Sequence, residues 1–504
     1  MRRSKSFLVI ILIVAIVLSF QIGGEASNTH RTYYQIFVRS FYDSNGDGIG
    51  DLRGVTKNLD YLEELGVKGI WLMPIMDSES YHGYDVIDFY EVNSDYGSLE
   101  DFNELSKEAN KRGIKVVLDL MLNHSSSDHP WFIEASLDHK SPYRDYYIWA
   151  NEDTDTNERR PHDGARLWHR TFGGLYYGFF WGGMPDFNYE NPAVREEMID
   201  IGRFWLEQGA DGFRLDAAKH IFPGDIHEKN LKWWREFKEA MEEVDPQVYL
   251  VGEVWDEPEV VGPYFEALES NFNFMVGEEI IKALQDGQNR GLGERIDQTY
   301  RLYDNLIGEG NYIDAPFITN HDQDRMMSQL DGDIDKAKVG ASIYLTLAGN
   351  PFIYYGEEIG MTGTKPDERI REPFQWVEGK GEGESQWTFV LSPEGVSVES
   401  QLNNPTSLLN HYRELIAFRN DNPLLYDGDF APIETEDEVL AYKRFNEDQE
   451  IYIYHNLSDE MRNVDIEHSV NESKIFNYLR RDRLVFEEGG FIRVPPYGTI
   501  IIKN

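Results

Sequence analysis

From about residue 30 to residue 425, short runs of β-branched and aromatic residues alternate with longer stretches of helical periodicity. The runs 34–38, 69–73, 115–121, 212–216, 248–253, 271–275, 317–320 and 352–355 read as strands because apolar runs of this length, bounded by turn residues, suit a buried parallel sheet. Residues 58–65, Leu99–Lys111, 193–208 and 231–244 carry apolar positions three and four apart and read as helices. Eight strands separated by helices are repeated βα units, and a closed (β/α)8 barrel of the TIM type is their natural assembly.

Two intervals break this rhythm. Residues 124–185, between the third and fourth runs, are rich in Gly, Asp and aromatics, as in Gly173-Gly174-Leu175-Tyr176-Tyr177-Gly178-Phe179-Phe180-Trp181. Loops longer than about 15 residues usually have structure or function of their own, so a small inserted domain is expected on the top face after strand 3. Beyond about residue 425, Val439-Leu440-Ala441-Tyr442, Ile451-Tyr452-Ile453-Tyr454 and residues 492–503, with turn residues between them, suggest a C-terminal antiparallel β-sandwich. The expected layout is a signal peptide over 1–26, a barrel over 30–123 and 186–425, an insertion over 124–185 and a sandwich over 426–504.

The signal peptide is read from Arg2, Arg3 and Lys5 ahead of an apolar run from Phe7 to Leu18, followed by Gly24-Glu25-Ala26. This implies a secreted protein; the alternative, if the segment is not cleaved, is an N-terminal membrane anchor, for which the run is short against about 30 Å of hydrocarbon. Asp and Glu number 90 against 48 Lys and Arg, a formal charge of −42. That balance opposes nucleic acid phosphates and anionic membranes as partners and suits a surface that stays hydrated at high salt. The absence of Cys excludes disulfides, thiolate metal sites and cysteine nucleophiles. Oligomeric state is not legible.

In a barrel of this kind chemistry sits where strands end, and these ends are acidic: Asp119-Leu120-Met121-Leu122-Asn123-His124, Arg214-Leu215-Asp216, Glu253 and Asn320-His321-Asp322. Two carboxyls about 5 Å apart support double displacement at a sugar anomeric carbon, one attacking while the other protonates the leaving oxygen. Arg214 lies two residues before Asp216 on the same strand face, where it would keep that Asp ionised as nucleophile, leaving Glu253 as proton donor. A metal-dependent hydrolase would need clustered His ligands, and His82, His124 and His321 lack that spacing. Separately, Asp43-Ser44-Asn45-Gly46-Asp47-Gly48-Ile49-Gly50-Asp51 repeats oxygen ligands as a calcium loop does, with Gly54 where a closing Glu would stand. Ca2+ held by Asp43, Asn45, Asp47, the Ile49 carbonyl and Asp51 is expected.

Gly212-Phe213-Arg214-Leu215-Asp216-Ala217-Ala218-Lys219-His220, Glu253-Val254-Trp255, Phe317-Ile318-Thr319-Asn320-His321-Asp322 and the Asp119 to His124 segment resemble, in order, the four signature regions of the α-amylase family of glycoside hydrolases. Gly83-Tyr84-Asp85-Val86-Ile87-Asp88-Phe89, Met184-Pro185-Asp186-Phe187-Asn188 and Tyr355-Gly356-Glu357-Glu358-Ile359-Gly360 extend the match. The resemblance implies a retaining α-glucan hydrolase with Asp216 as nucleophile, Glu253 as acid/base and Asp322 as transition-state stabiliser. It places His82, Tyr84, His124, Arg214, Lys219 and His321 around the sugar, Tyr84 as its stacking ring. It also implies a second Ca2+, bound by Asn123, Asp186 and the His220 carbonyl.

Trp131, Trp149, Trp168, Tyr176, Tyr177 and Trp181 of the insertion are candidates either for stacking platforms or for that domain's core. Lys219-His220 resembles α-amylases that cut internal α-1,4 bonds. Met184-Pro185-Asp186-Phe187-Asn188, the Asp43 loop and Arg371-Glu372-Pro373-Phe374-Gln375-Trp376 lean toward the oligo-1,6-glucosidase and neopullulanase groups. The reading adopted is hydrolysis of α-1,4 bonds in starch and maltooligosaccharides. An oligo-1,6-glucosidase, neopullulanase-like or glucosyl transferase activity is the alternative, and a non-catalytic glucan-binding relative a remote one.

Overall fold

The computed structural model describes residues 30–161, 163–379, 381–466, 472–476, 486–487 and 490–504; the segment read as a signal peptide lies outside the described residues. Strands β1 (Tyr33–Ile36), β2 (Gly69–Leu72), β3 (Lys115–Leu120), β4 (Gly212–Leu215), β5 (Tyr249–Gly252), β6 (Ser270–Asn273), β7 (Ile313–Pro316) and β8 (Phe352–Tyr354) form one sheet in the order β7-β6-β5-β4-β3-β2-β1-β8. The neighbouring strands pair in parallel. Across the remaining seam the Asn350 N–H donates to the Asp314 carbonyl at 2.8 Å.

The seventh strand corrects the sequence reading. It was expected at 317–320, but the paired residues are Ile313–Pro316. Asp314 and Pro316 interrupt the apolar pattern, yet the buried Asp314 carboxylate accepts from the Asn273 amide at 3.0 and 3.2 Å. Pro316 ends the strand, where a missing N–H does least harm.

Alternation along each strand sorts the side chains into two layers. Tyr33, Trp71, Val117, Tyr249, Val251, Phe272 and Phe352 form the cluster inside the barrel, with Tyr33 stacked on Phe352 and Tyr249 at 4.7 and 5.0 Å. Their strand neighbours Tyr34, Ile70, Leu72, Val116, Leu118, Phe213 and Leu215 belong to the larger core under the helices. Helix Leu99–Lys111 has the expected bounds and opens on a capping box between Ser98 and Asp101. Helix His227–Glu242 begins earlier than its apolar pattern does, since its first turn is polar.

In the insertion, helix Pro130–Leu137 is followed by a hairpin of Trp168–Thr171 with Gly174–Tyr177. An isolated bridge from His124 to Asp186 brings its two ends together, and one from Tyr147 to Phe187 ties its middle to the chain that follows. At the C-terminus, Val439, Ala441, Tyr454, Ile500 and Ile502 of a five-stranded antiparallel sheet pack with Val464, Ile492 and Val494 of a three-stranded one. Among the described residues no helix is long and apolar enough to cross a membrane.

Candidate active site

The alternation that fills the barrel with aromatics delivers charge to its mouth. Continuing the inward positions of β3, β4 and β5 by two residues reaches Asp119, then Arg214 and Asp216, then Glu253. Arg214 is buried and its Nη1 donates to Asp119 Oδ1 at 2.7 Å and to Asp216 Oδ1 at 2.6 Å, while Nη2 reaches Glu253 Oε1 at 2.8 Å. One planar guanidinium thus holds the proposed nucleophile and the proposed proton donor on adjacent nitrogens. Ala217 follows Asp216 in the left-handed region, φ 49°, and its N–H donates to Glu253 Oε2 at 3.1 Å. Such strain in a non-glycine residue beside a reactive group is typical of functional turns.

Burial raises the Glu253 carboxyl to about 7, against the pull of Arg214 and with Asp216 adding to the rise. Burial raises Asp216 as well, with Arg214 opposing. Arg214 was expected to hold Asp216 ionised; its pull is present, but desolvation outweighs it on both carboxyls. Asp119 is likewise lifted by burial to about 7. Burial also penalises the Asp322 carboxylate, but the His321 Nε2 contact and the Arg371 guanidinium draw it below the usual carboxylate range. Its oxygens lie 2.9 Å from Arg371 Nη2 and 3.1 Å from His321 Nε2.

Asp216, Glu253 and Asp322 line one pocket of about 930 Å³ together with His82, Tyr84, His124, Lys219, His220 and Arg371. Tyr84 stands between the acids and donates to Asp119 Oδ2 at 2.9 Å. His124 Nε2 meets the Tyr84 carbonyl at 3.0 Å, and His82 Nδ1 accepts from the Tyr84 N–H at 3.1 Å. Lys219 Nζ is tied to the Trp255 carbonyl at 2.9 Å and Asp256 at 2.8 Å, at the pocket edge.

Three participants went unassigned in the sequence reading: Asp119, Arg371 and Trp255. Arg371 Nη2 also holds Asp367, another lining residue, at 2.9 Å. Trp255, 41% exposed, stacks on Phe274 at 4.3 Å and opens to the same pocket. Its place two residues after Glu253 was the available signal. Of the six aromatics of the insertion, Trp181 lines the pocket. Tyr176 and Tyr177 are buried, and Trp149 packs on Phe132 and under the Arg144 guanidinium.

Two oxygen-rich loops flank the expected cation positions. In the Asp43 loop, Asp43 accepts the N–H groups of Asn45, Gly46 and Gly48, and Asp47 accepts that of Ile49. Asp51 caps the following helix through Gly54 and accepts from Ser44. These bonds curl the loop, with Gly46 and Gly48 at φ 84° and 94°, and the donors are the hard oxygens that Ca2+ takes. At the second position the Asn123 side-chain amide faces the His220 carbonyl at 2.6 Å and Asp186 Oδ2 at 3.4 Å. Its other end meets His124 Nδ1 at 3.0 Å. Burial keeps the His124 ring neutral, at about 4, so it has one N–H, which its Nε2 contact with the Tyr84 carbonyl requires. The Asn123 end facing Nδ1 is then the amide nitrogen. That turn leaves the Asn123 oxygen, the Asp186 carboxyl and the His220 carbonyl converging, a set that fits a cation. Among the described residues no group of three or more His, Cys, Asp or Glu is arranged to hold a metal ion; the expected gathering of Asp43, Asp47 and Asp51 on one ion is therefore not seen as a three-carboxylate group, and the Asn45 and Ile49 oxygens would be needed beside them.

Comparison with known proteins agrees with this geometry. The family model of the α-amylase catalytic domain matches residues 35–428. Alpha-amylase 3 of Dictyoglomus thermophilum is 42% identical, covering 99% of this chain and 98% of its own. A 4-alpha-glucanotransferase of Thermotoga maritima is 38% identical over 85% of this chain and 96% of its own. The crystal structure of the alpha-amylase from H. orenii superposes with a TM-score of 0.89 at 51% identity, covering 94% of this chain and 99% of that one. The chain therefore belongs to the α-amylase family of glycoside hydrolases.

Proposed function

We propose that this protein hydrolyses internal α-1,4 bonds of starch and maltooligosaccharides with retention of configuration. The observation that carries the reading is the Arg214 clamp, which holds Asp216 and Glu253 side by side in a pocket roomy enough for several sugar units. The Asp216 carboxylate attacks the anomeric carbon as Glu253 gives its proton to the departing glycosidic oxygen, forming a covalent glycosyl ester. Glu253, now ionised, takes a proton from water, whose oxygen displaces Asp216 from the same carbon. Asp322, kept anionic by Arg371 and His321, faces the positive charge that develops on the ring between these steps. Tyr84 offers the sugar an aromatic face.

Secretion is proposed from the N-terminal charge and apolar pattern, and a polymeric substrate is consistent with it. Calcium is proposed at the Asp43 loop and at Asn123, Asp186 and the His220 carbonyl, where it would stiffen the loops that carry the site and take no part in the bond exchange. Trp181 and Trp255, both exposed in the pocket, favour a second reading, in which a sugar acceptor competes with water and glucan is transferred. Product analysis on amylose with anomer detection tests both. Rapid loss of starch viscosity, α-configured products and intact isomaltose are expected. Isomaltose cleavage, or β-configured products, would overturn the assignment.

A further inference from the structure

Gln35 lies on the inward face of β1, 2% exposed, and its side-chain amide meets His321 Nδ1 at 2.7 Å. The other ring nitrogen, Nε2, faces the Tyr84 hydroxyl at 2.5 Å and Asp322 Oδ2 at 3.1 Å. Burial holds the ring well below its ordinary pKa, so it is neutral and carries one proton. Where that proton sits follows from its neighbours. Asp322 is ionised and only accepts. Tyr84 spends its own proton on Asp119 Oδ2 at 2.9 Å and offers His321 a lone pair. Both contacts at Nε2 therefore call for an N–H, which leaves Nδ1 as an acceptor, and the Gln35 amide nitrogen is the donor placed to meet it.

We propose that Gln35 is a positioning residue, which fixes the His321 tautomer so that Nε2–H faces Asp322 and the sugar-binding pocket. The chain of bonds runs from Gln35 through His321 and Tyr84 to Asp119, joining β1 to β3 beneath the reacting centre. With the proton on Nδ1 instead, a nitrogen lone pair would confront the Asp322 carboxylate and the Tyr84 oxygen would lose its donor. This deepens the proposed mechanism and rests on it for the catalytic consequence, whereas the tautomer itself is independent of what the enzyme cleaves.

The test pairs spectroscopy with kinetics. Histidine is labelled with ¹⁵N in the full chain, and the His321 resonances are assigned by their loss in His321→Gln. At pH 7 the wild-type ring should show a protonated Nε2 and an unprotonated Nδ1. Gln35→Met, of similar volume but without N–H, should lose that fixed tautomer, and its kcat on maltoheptaose should fall about ten-fold, the worth of one buried hydrogen bond. Gln35→Glu, which accepts rather than donates, should move the proton to Nδ1 and lower kcat further. A wild-type ring protonated at Nδ1 would overturn the proposal whatever the substrate proves to be, even if Gln35→Met fails to fold. So would a folded Gln35→Met with unchanged tautomer and kcat. A wild-type ring protonated at Nε2 in an enzyme inactive on α-1,4-glucans would instead sink the substrate reading and leave the tautomer standing.

Discussion

Replacing Arg214 tests the electrostatic argument most directly, because its guanidinium is the cation that Asp119, Asp216 and Glu253 share at 2.6–2.8 Å. With charge centres about 4 Å apart and an effective dielectric of about 20, each pair interacts by about 4 kcal/mol. One pK unit corresponds to about 1.4 kcal/mol, so loss of the charge should raise each carboxyl by about 3 units. In Arg214→Met the acid limb of the kcat/KM profile, which reports Asp216, and the basic limb, which reports Glu253 at about 7 in the wild type, should both move to higher pH. At pH 7 kcat should fall by about a hundred-fold or more, from a protonated nucleophile and lost alignment together.

Arg214→Lys separates charge from geometry. It keeps the cation but lacks the planar fork that meets Asp216 and Glu253 on two nitrogens, so its pH optimum should stay near the wild type while kcat falls. The assay is kcat and KM on maltoheptaose between pH 4 and 10, with melting temperatures to show that each variant folds. A folded Arg214→Met whose optimum does not move would refute the account of Arg214 as the cation that restrains both carboxyls.

Asp216→Asn should abolish turnover and leave the melting temperature nearly unchanged; more than a few per cent residual activity would contradict its role as nucleophile. EDTA should lower the melting temperature and Asp43→Ala should reduce that response, since a bound ion stabilises only the folded state; an EDTA-insensitive wild type would count against both calcium sites. Burial lifts the Glu357 carboxyl to about 8, with Tyr344 and Tyr412 donating to one of its oxygens. A raised folded pKa favours folding at low pH, and that contribution is lost as pH climbs from about 4.5 through 8. Glu357→Gln should therefore melt at a higher temperature than the wild type above pH 8 and lose that advantage below pH 5. Trp255→Ala should raise KM for long substrates and lower the share of transfer products; an unchanged product pattern would remove Trp255 from the binding surface.

What could be read from the chain depended on the range over which each signal acts. Strand alternation is local, so Arg214 and Asp216 could be placed on one face from their spacing alone, and the glycine-bearing acidic run at Asp43 declared its oxygen donors in nine consecutive residues. The seventh strand failed on the same local rule, because a buried Asp314 is tolerable only when Asn273 from the neighbouring strand satisfies it. Gln35 and His321 are 286 residues apart, and Arg371 meets Asp322 across 49; nothing in either neighbourhood marks them as partners.

The rise of the two central carboxyls was out of reach for a related reason. A sequence shows that Arg214 is near Asp216, but desolvation depends on how completely the barrel closes over both, and here burial is the larger influence on each. The arginine therefore acts as a shared brake on two rising carboxyls. A second restraint acts on Glu253 alone: the Ala217 N–H, which the left-handed turn after Asp216 aims at its carboxyl, also opposes the rise. If that turn matters, Ala217→Gly, which relieves the strain but keeps the N–H, should be tolerated. Ala217→Val, which resists positive φ, should lose activity together with a shift of the basic limb; an active Val variant with an unmoved limb would show that the turn is incidental to the acid's tuning.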